Sequence, residues 1–186
     1  SAALTTDRAL AFLAGADARP LLAWVHFYDP HEPYAPPESF RERYRDDPYL
    51  GEIAGMDLQL GRLVAGFEER LGRDQLRILV VGDHGEGRGD HGEMLHGNLL
   101  YQGVMRVPLL VVGAGVPRGV RTEPVSTRQV FATLLDWAGG AGTGSLLLAV
   151  TEPGEAVLGE AMQPYLQYRW QPQAMAILGP FKVIRA

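Results

Sequence analysis

Hydrophobic residues recur along the chain with the spacing of two kinds of element. At 49–71 apolar residues fall three or four positions apart and form one stripe, which predicts an amphipathic helix that ends at Gly72. A second helix is predicted at 126–138, because Ser126 and Gln129 have the spacing of a capping box. Nearly continuous apolar runs predict three buried strands, at 21–28, 75–81 and 107–112.

Strands that alternate with helices indicate an α/β fold, which we predict as a mixed, largely parallel sheet flanked by helices. A small C-terminal hairpin is predicted at 173–184, and four prolines predict an extended loop at 30–37. The glycine-rich stretch at 139–144 suggests a division into a partial α/β domain, 1–144, and a C-terminal segment, 145–186. That segment belongs to the same domain or begins a small subdomain.

Composition excludes several classes of protein. The net charge of −5 argues against a nucleic-acid binder, which usually has a basic surface. The absence of cysteine excludes disulfides, thiolate nucleophiles and zinc–thiolate sites within this chain. No apolar run approaches the roughly 20 residues that a membrane span needs. The first residues do not resemble a signal peptide, and the compartment stays open between extracytoplasmic and cytoplasmic.

The segment that follows the strand at 75–81 carries most of the candidate chemistry. Asp83 and His84 come directly after this strand, and three of the five histidines lie within thirteen residues. Ligands of α/β proteins gather at the carboxyl ends of strands, and an oxygen beside an imidazole nitrogen suits a divalent metal. Calcium, magnesium, manganese and zinc all stay open. The alternative is structural, with Asp83 capping a turn and His84 hydrogen-bonded nearby.

Two further histidines are candidates for contact with an anionic substrate. His96 lies in the same segment, where it could donate to a sulfate or phosphate oxygen and neutralise charge in the transition state. His31 follows the predicted strand at 21–28 and could reach the same cleft. The alternatives are a surface or capping role for His96 and a loop histidine bonded to backbone for His31. We expect His91 to organise its loop.

Several motifs in this order resemble the sulfatase family of the alkaline phosphatase superfamily. They are V-H-F-Y-D-P-H-E-P-Y, V-G-D-H-G-E, G-D-H-G, H-G-N-L-L-Y and R-V-P-L-L-V, and the resemblance covers nearly all of 20–185. It implies an alkaline-phosphatase-like fold and a metal-dependent sulfuric ester hydrolase. Asp83 and His84 match the family's metal ligands, and His96 and His31 match residues that contact the sulfate. The implied cofactor is a divalent metal, calcium first, with manganese, zinc and magnesium possible.

The chain departs from the family pattern in one respect. The paired aspartates and the C/S-x-P-x-R nucleophile motif of the family's N-terminal part do not occur, and formylglycine cannot form without cysteine. We therefore expect the C-terminal half of a sulfatase catalytic domain, without its N-terminal strands and inactive alone. Bare sheet edges would be covered by a second copy of the chain or by the missing N-terminal half. The alternatives are a phosphoester or phosphonate hydrolase and a non-catalytic, sulfatase-like binding module.

Overall fold

The computed structural model describes residues 1–17, 19–142, 144–147 and 156–186. The chain forms two compact units, Ser1–Arg77 and Ile78–Ala186. The predicted boundary at 144 and 145 stays a prediction, and residue 143 of the predicted glycine-rich loop lies outside the described residues. No helix among the described residues combines the length and the apolar character that a membrane crossing requires.

The first unit is built on two packed helices. They are α1 (Ala2–Gly15) and α3 (Pro48–Leu71), with the short α2 (Glu38–Arg41) between them and a 3-10 turn (Arg73–Gln75) after them. α3 begins where Asp47 accepts a hydrogen bond from the N–H of Leu50, and it ends at Gly72, whose φ is +84°. Its predicted apolar stripe is at least half-buried, and α1 packs against it. The predicted helix is confirmed.

The predicted strand at 21–28 is wrong. Its backbone pairs with no strand among the described residues. Leu22, Trp24 and Tyr28 are 72%, 74% and 65% exposed. A strand needs the N–H and C=O groups of a neighbouring strand, which hydrophobicity alone does not specify.

The second unit contains two small sheets and three helices along its described residues. The elements in order are β1 (Arg77–Val81), whose first residue closes the first unit, α4 (Gln102–Met105), β2 (Leu109–Gly113), α5 (Gln129–Trp137), β3 (Val157–Ala161), α6 (Gln163–Tyr168), β4 (Gln173–Leu178) and β5 (Phe181–Arg185). β1 pairs with β2, while β3, β4 and β5 form an antiparallel sheet in that order. The structure confirms the α/β class, the predicted strands at 75–81 and 107–112, and the C-terminal hairpin. Strand β3 was not predicted from the sequence.

Local signals explain how α5 begins and how the hairpin turns. The side chain of Gln129 accepts from the N–H of Ser126 at 2.9 Å, and Oγ of Ser126 accepts from the N–H of Arg128 at 3.3 Å. The predicted capping-box pair is thus formed in part, because Oγ of Ser126 bonds the N–H of Arg128 and not that of Gln129, and the predicted helix begins at Gln129, three residues later than expected. In the hairpin Leu178 pairs with Phe181, and the two-residue turn between them has Gly179 at φ +55°. A positive φ at this position favours glycine.

The core of the second unit joins the antiparallel sheet to the segment before β2. Leu100, Ala161 and Met175 are almost fully buried and touch one another. Met105 packs against this cluster, and Nζ of Lys182 donates to the carbonyl of Leu100. The sheet therefore supports residues 100–105, which directly follow the histidine-rich loop.

Candidate metal and anion site

The loop that follows β1 is fastened at its base to the chain before β2. The N–H of Gly82 donates to the carbonyl of Pro108 at 3.2 Å, and the N–H of Gly85 donates to the carbonyl of Val104 at 2.7 Å. A Cβ atom at Gly85 would overlap the carbonyl oxygen of Gly103, so this backbone approach requires glycine. The two residues between these anchors are thereby held in place.

These two residues, Asp83 and His84, present two acceptor atoms to each other. The N–H of His84 donates to Oδ1 of Asp83 at 3.0 Å, and Nδ1 of His84 lies 2.8 Å from the carbonyl oxygen of Gly85. Because a carbonyl only accepts, Nδ1 carries the proton and Nε2 of the neutral ring keeps its lone pair. Nε2 lies 3.7 Å from Oδ2 of Asp83, which is too long for a hydrogen bond.

This pair suits a divalent cation but does not complete a site. Metal–ligand bonds of about 2.0–2.5 Å allow one cation to contact both acceptor atoms. The donor set of one oxygen and one imidazole nitrogen leaves calcium, magnesium, manganese and zinc open. No group of three or more His, Asp or Glu side chains that could hold a metal occurs in the described part of the chain. Asp83 and His84 would therefore need ligands beyond those that surround them here.

His96 stacks on His84 and is held by a buried carboxylate. The two ring centroids are 3.8 Å apart, with 29° between the planes. Nδ1 of His96 lies 3.1 Å from Oε1 of Glu86, and the side chains of these two residues are 28% and 6% exposed. The carboxylate accepts from Nδ1, so the direction of the opposite ring nitrogen, Nε2, is set. The structure thus brings His96 to the predicted metal ligand His84.

His91 organises the loop, as predicted. Its Nδ1 donates to Oδ1 of Asp90 at 2.9 Å, and its ring stacks on Tyr101 with 3.5 Å between centroids and 6° between planes. Its φ of +52° falls in the left-handed region, as does the φ of +51° at Arg88. Both residues lie within the tight turn around Gly89, whose N–H donates to the carbonyl of Glu93 at 2.8 Å. His91 therefore bridges the tip of the loop to its return at residue 101.

Two buried carboxylates that the sequence interpretation missed hold this loop together. Glu86 holds His96, and Glu93, 7% exposed, accepts from the N–H groups of Asn98 at 2.8 Å and Leu99 at 3.3 Å. Their only sequence signal is their place in a glycine-rich loop, where free backbone N–H groups need acceptors. A surface glutamate would look the same in the sequence.

The other candidate, His31, lies in the first unit and is held by a third buried carboxylate. Glu52 of α3, 5% exposed, accepts from the N–H of His31 at 3.0 Å and from the N–H of Ala35 at 2.8 Å. The ring of His31 stacks on Tyr28 with 4.3 Å between centroids, and its Nδ1 donates to the carbonyl of Glu32 at 2.6 Å. Glu52, also missed from the sequence, thus fixes the proline-rich loop around His31.

Curated relatives and a family model match this chain. The model described as Sulfatase matches residues 1–141. The choline-sulfatase of Rhizobium meliloti (strain 1021) is 33% identical over 91 residues, which cover 49% of this chain and 18% of that protein. Arylsulfatase K of Danio rerio is 31% identical over 99 residues, which cover 53% of this chain and 19% of that protein.

Solved structures share the fold. The sulfatase yidJ of Bacteroides fragilis superposes with a TM-score of 0.80 at 15% identity, over 95% of this chain and 47% of that one. The phosphonate monoester hydrolase of Agrobacterium radiobacter superposes with a TM-score of 0.77 at 21% identity, over 99% of this chain and 52% of that one. The chain thus spans about half of these structures and less of the two curated relatives. The family model covers more than half of the chain, and the chain belongs to the Sulfatase family.

Proposed function

We propose that this chain supplies one wall of the active site of a metal-dependent sulfuric ester hydrolase. Asp83 and His84 bind a divalent cation, and His96 contacts the anionic group of the substrate. The observation that carries the proposal is the pair of acceptor atoms, Nε2 of His84 and Oδ2 of Asp83, 3.7 Å apart on an exposed loop. Two acceptor atoms in this position repel each other, whereas a cation between them attracts both.

Calcium is the first choice of cation, with manganese, zinc and magnesium as alternatives. When bound, the cation polarises the oxygens of the ester. Asp83 supplies charge and a hard oxygen ligand, and His84 supplies a neutral nitrogen whose direction is set by the bond from its Nδ1 to Gly85. The binding pair is thus prepared by the loop before any cation arrives.

His96 is the proposed contact to a sulfate oxygen. Its stack on His84 places it next to the proposed cation, and the Glu86 carboxylate holds the ring through Nδ1. A histidine that bears protons on both nitrogens donates to the sulfate while Glu86 compensates the ring charge. The predicted anion contact of His31, which lies in the first unit on a loop that Glu52 holds, stays a prediction.

The 186-residue chain alone should bind a divalent cation but should not hydrolyse a sulfate ester. Sulfate ester cleavage in the proposed mechanism needs a nucleophile, and this sequence has no cysteine and no C/S-x-P-x-R motif. The nucleophile and the remaining metal ligands would come from a further part of the same enzyme. We therefore expect weak binding of a divalent cation and no hydrolysis of 4-nitrophenyl sulfate by this chain.

A phosphonate or phosphoester hydrolase is the second candidate. The observation that favours it is the structural likeness to the phosphonate monoester hydrolase of Agrobacterium radiobacter, with a TM-score of 0.77. Both ester classes offer tetrahedral anions to the same donors. Competition between sulfate and methylphosphonate for the wild-type chain separates the two, since the preferred anion identifies the substrate class.

Calorimetric titration with calcium and manganese tests the metal pair. Asp83→Asn and His84→Ala should each weaken binding by about tenfold or more, because each removes one ligand. Asp74→Asn is the matched control, since Asp74 lies in the 3-10 turn of the first unit. Unchanged cation affinity in both site variants would refute the assignment. Hydrolysis of 4-nitrophenyl sulfate that survives Asp83→Asn and His96→Ala would refute the proposed mechanism.

A further inference from the structure

The antiparallel sheet of β3, β4 and β5 has one face that packs on the core and one face that is exposed. Met175 and Ile184, which pair across β4 and β5, face the core around Leu100. Successive side chains point to opposite faces of a strand, so the neighbours of Met175 and Ile184 point outward. Apolar residues form most of this outer face, namely Leu158, Ala176, Leu178, Phe181 and Val183.

The large apolar side chains of this outer face are in contact with solvent. Leu158, Val183 and Phe181 are 63%, 66% and 73% exposed, and Leu178 is 48% exposed. The strand register places Leu158, Ala176 and Val183 opposite one another, in one row across the three strands. An antiparallel sheet with one solvated face usually has polar side chains on that face. A contiguous apolar row there indicates an interaction surface instead.

Two opposite charges lie beside this apolar row, one on each outer strand of the sheet. Glu160 of β3 and Arg185 of β5 both pair with Ala174 of β4, so they occupy the next row of the same face. Both residues are exposed, and neither has an ion pair within the part of the chain that the structure describes. The outer face therefore carries one acid and one base, on either side of β4.

We propose that this outer face is the contact surface of a symmetric dimer, in which it packs on the same face of a second copy of the chain. A two-fold axis parallel to β4 exchanges the positions of β3 and β5 between the two copies. Glu160 of each copy then lies over Arg185 of the other, and Leu158 lies over Val183. Stacked sheets are about 10 Å apart, a distance that a glutamate and an arginine side chain bridge together.

The two charges identify the occupant of this face. Because the face supplies both members of each ion pair, a second copy satisfies Glu160 and Arg185 at the same time. An anionic membrane surface attracts faces with an excess of basic residues, and this face has no such excess. The dimer also buries the apolar row at its centre and leaves the charges toward its rim, which is typical of protein interfaces. This inference does not depend on the proposed metal and anion site.

Analytical ultracentrifugation of the 186-residue chain over a range of concentrations tests the proposal. Wild type should form a dimer whose fraction rises with concentration. Glu160→Arg and Arg185→Glu should each weaken dimerisation by about tenfold or more, because each places like charges together at both symmetry-related contacts. An equal mixture of the two variants should dimerise like wild type, since each variant supplies the charge that the other lacks.

Matched controls are Glu123→Arg and Arg118→Glu, which reverse exposed charges of the second unit outside this sheet and should dimerise like wild type. Circular dichroism checks that every variant is folded. A wild-type chain that stays monomeric at every concentration overturns the proposal, and so do single variants that dimerise like wild type. If the mixture of folded variants dimerises no better than each variant alone, the pairing of Glu160 with Arg185 across the two-fold axis is wrong.

Discussion

The Oε1 atom of Glu86 lies 3.1 Å from Nδ1 of His96, on a side chain that is 6% exposed. This bond joins Glu86, which no sequence pattern singled out, to His96, which its place in the histidine-rich loop indicated as a candidate. We predict that Glu86→Gln weakens the binding of inorganic sulfate by about tenfold, because an amide compensates the ring charge of His96 less than a carboxylate does. Calorimetry measures the affinity.

Glu69→Gln, on the exposed side of α3, is the control for the loss of one negative charge and should bind sulfate like wild type. An unchanged sulfate affinity in Glu86→Gln would show that Glu86 does not act through His96. The nitrogen chemical shifts of the His96 ring give a separate readout, since replacing the carboxylate by an amide should change the hydrogen bond at Nδ1.

The contact between Gly85 and the carbonyl of Gly103 predicts a sharp contrast between two glycine substitutions. Gly85→Ala should lower the free energy of unfolding by about 2 kcal/mol or more and weaken cation binding, because its Cβ would overlap backbone. Gly61→Ala has open space within α3 and should raise the free energy of unfolding by up to about 1 kcal/mol. Urea denaturation measures both. Equal stability of the two variants would contradict the loop geometry.

Glu52 should be a stability determinant of the first unit. Glu52→Ala leaves the N–H groups of His31 and Ala35 without their acceptor, and we expect a loss of about 2–4 kcal/mol in the free energy of unfolding. Glu52→Gln keeps one oxygen acceptor and should cost less. Chemical denaturation distinguishes them, with the exposed Glu69→Ala as control. A Glu52→Ala protein as stable as the control would show that the proline-rich loop is held by other contacts.

Burial lowers the pKa of Lys182 from its ordinary value of 10.5. Between the lowered pKa and 10.5 the unfolded state binds more protons than the folded state, so the free energy of unfolding should rise with pH in that window. Lys182→Met removes this contribution. The difference between the denaturation curves of wild type and variant, measured across the alkaline range, should therefore depend on pH.

Arg185→Met, on the same strand, removes a cation that does not titrate in this range and should shift the denaturation curve by a constant amount. If the difference in the free energy of unfolding between wild type and Lys182→Met stays constant through the alkaline range, the lowered pKa of Lys182 is contradicted.

Much of the secondary structure follows from local patterns in the sequence. The apolar stripe of α3, the Ser126–Gln129 capping box and the glycine of the C-terminal hairpin each act between residues close in the chain, so their outcome can be predicted without the tertiary fold. The residue types of Asp83, His84 and His96, placed after an apolar strand, likewise indicated the candidate site.

The tertiary structure decided the rest, because burial and pairing depend on residues distant in the sequence. The run at 21–28 has the composition of a strand but pairs with no strand among the described residues. Glu52 and Glu86 look like surface acids until the fold buries them beside backbone N–H groups and a histidine. Gly97 lies against the side-chain amide of Gln163, 66 residues later, a contact that no local pattern predicts. Local sequence specifies which groups are available, and only the folded chain determines which of them meet.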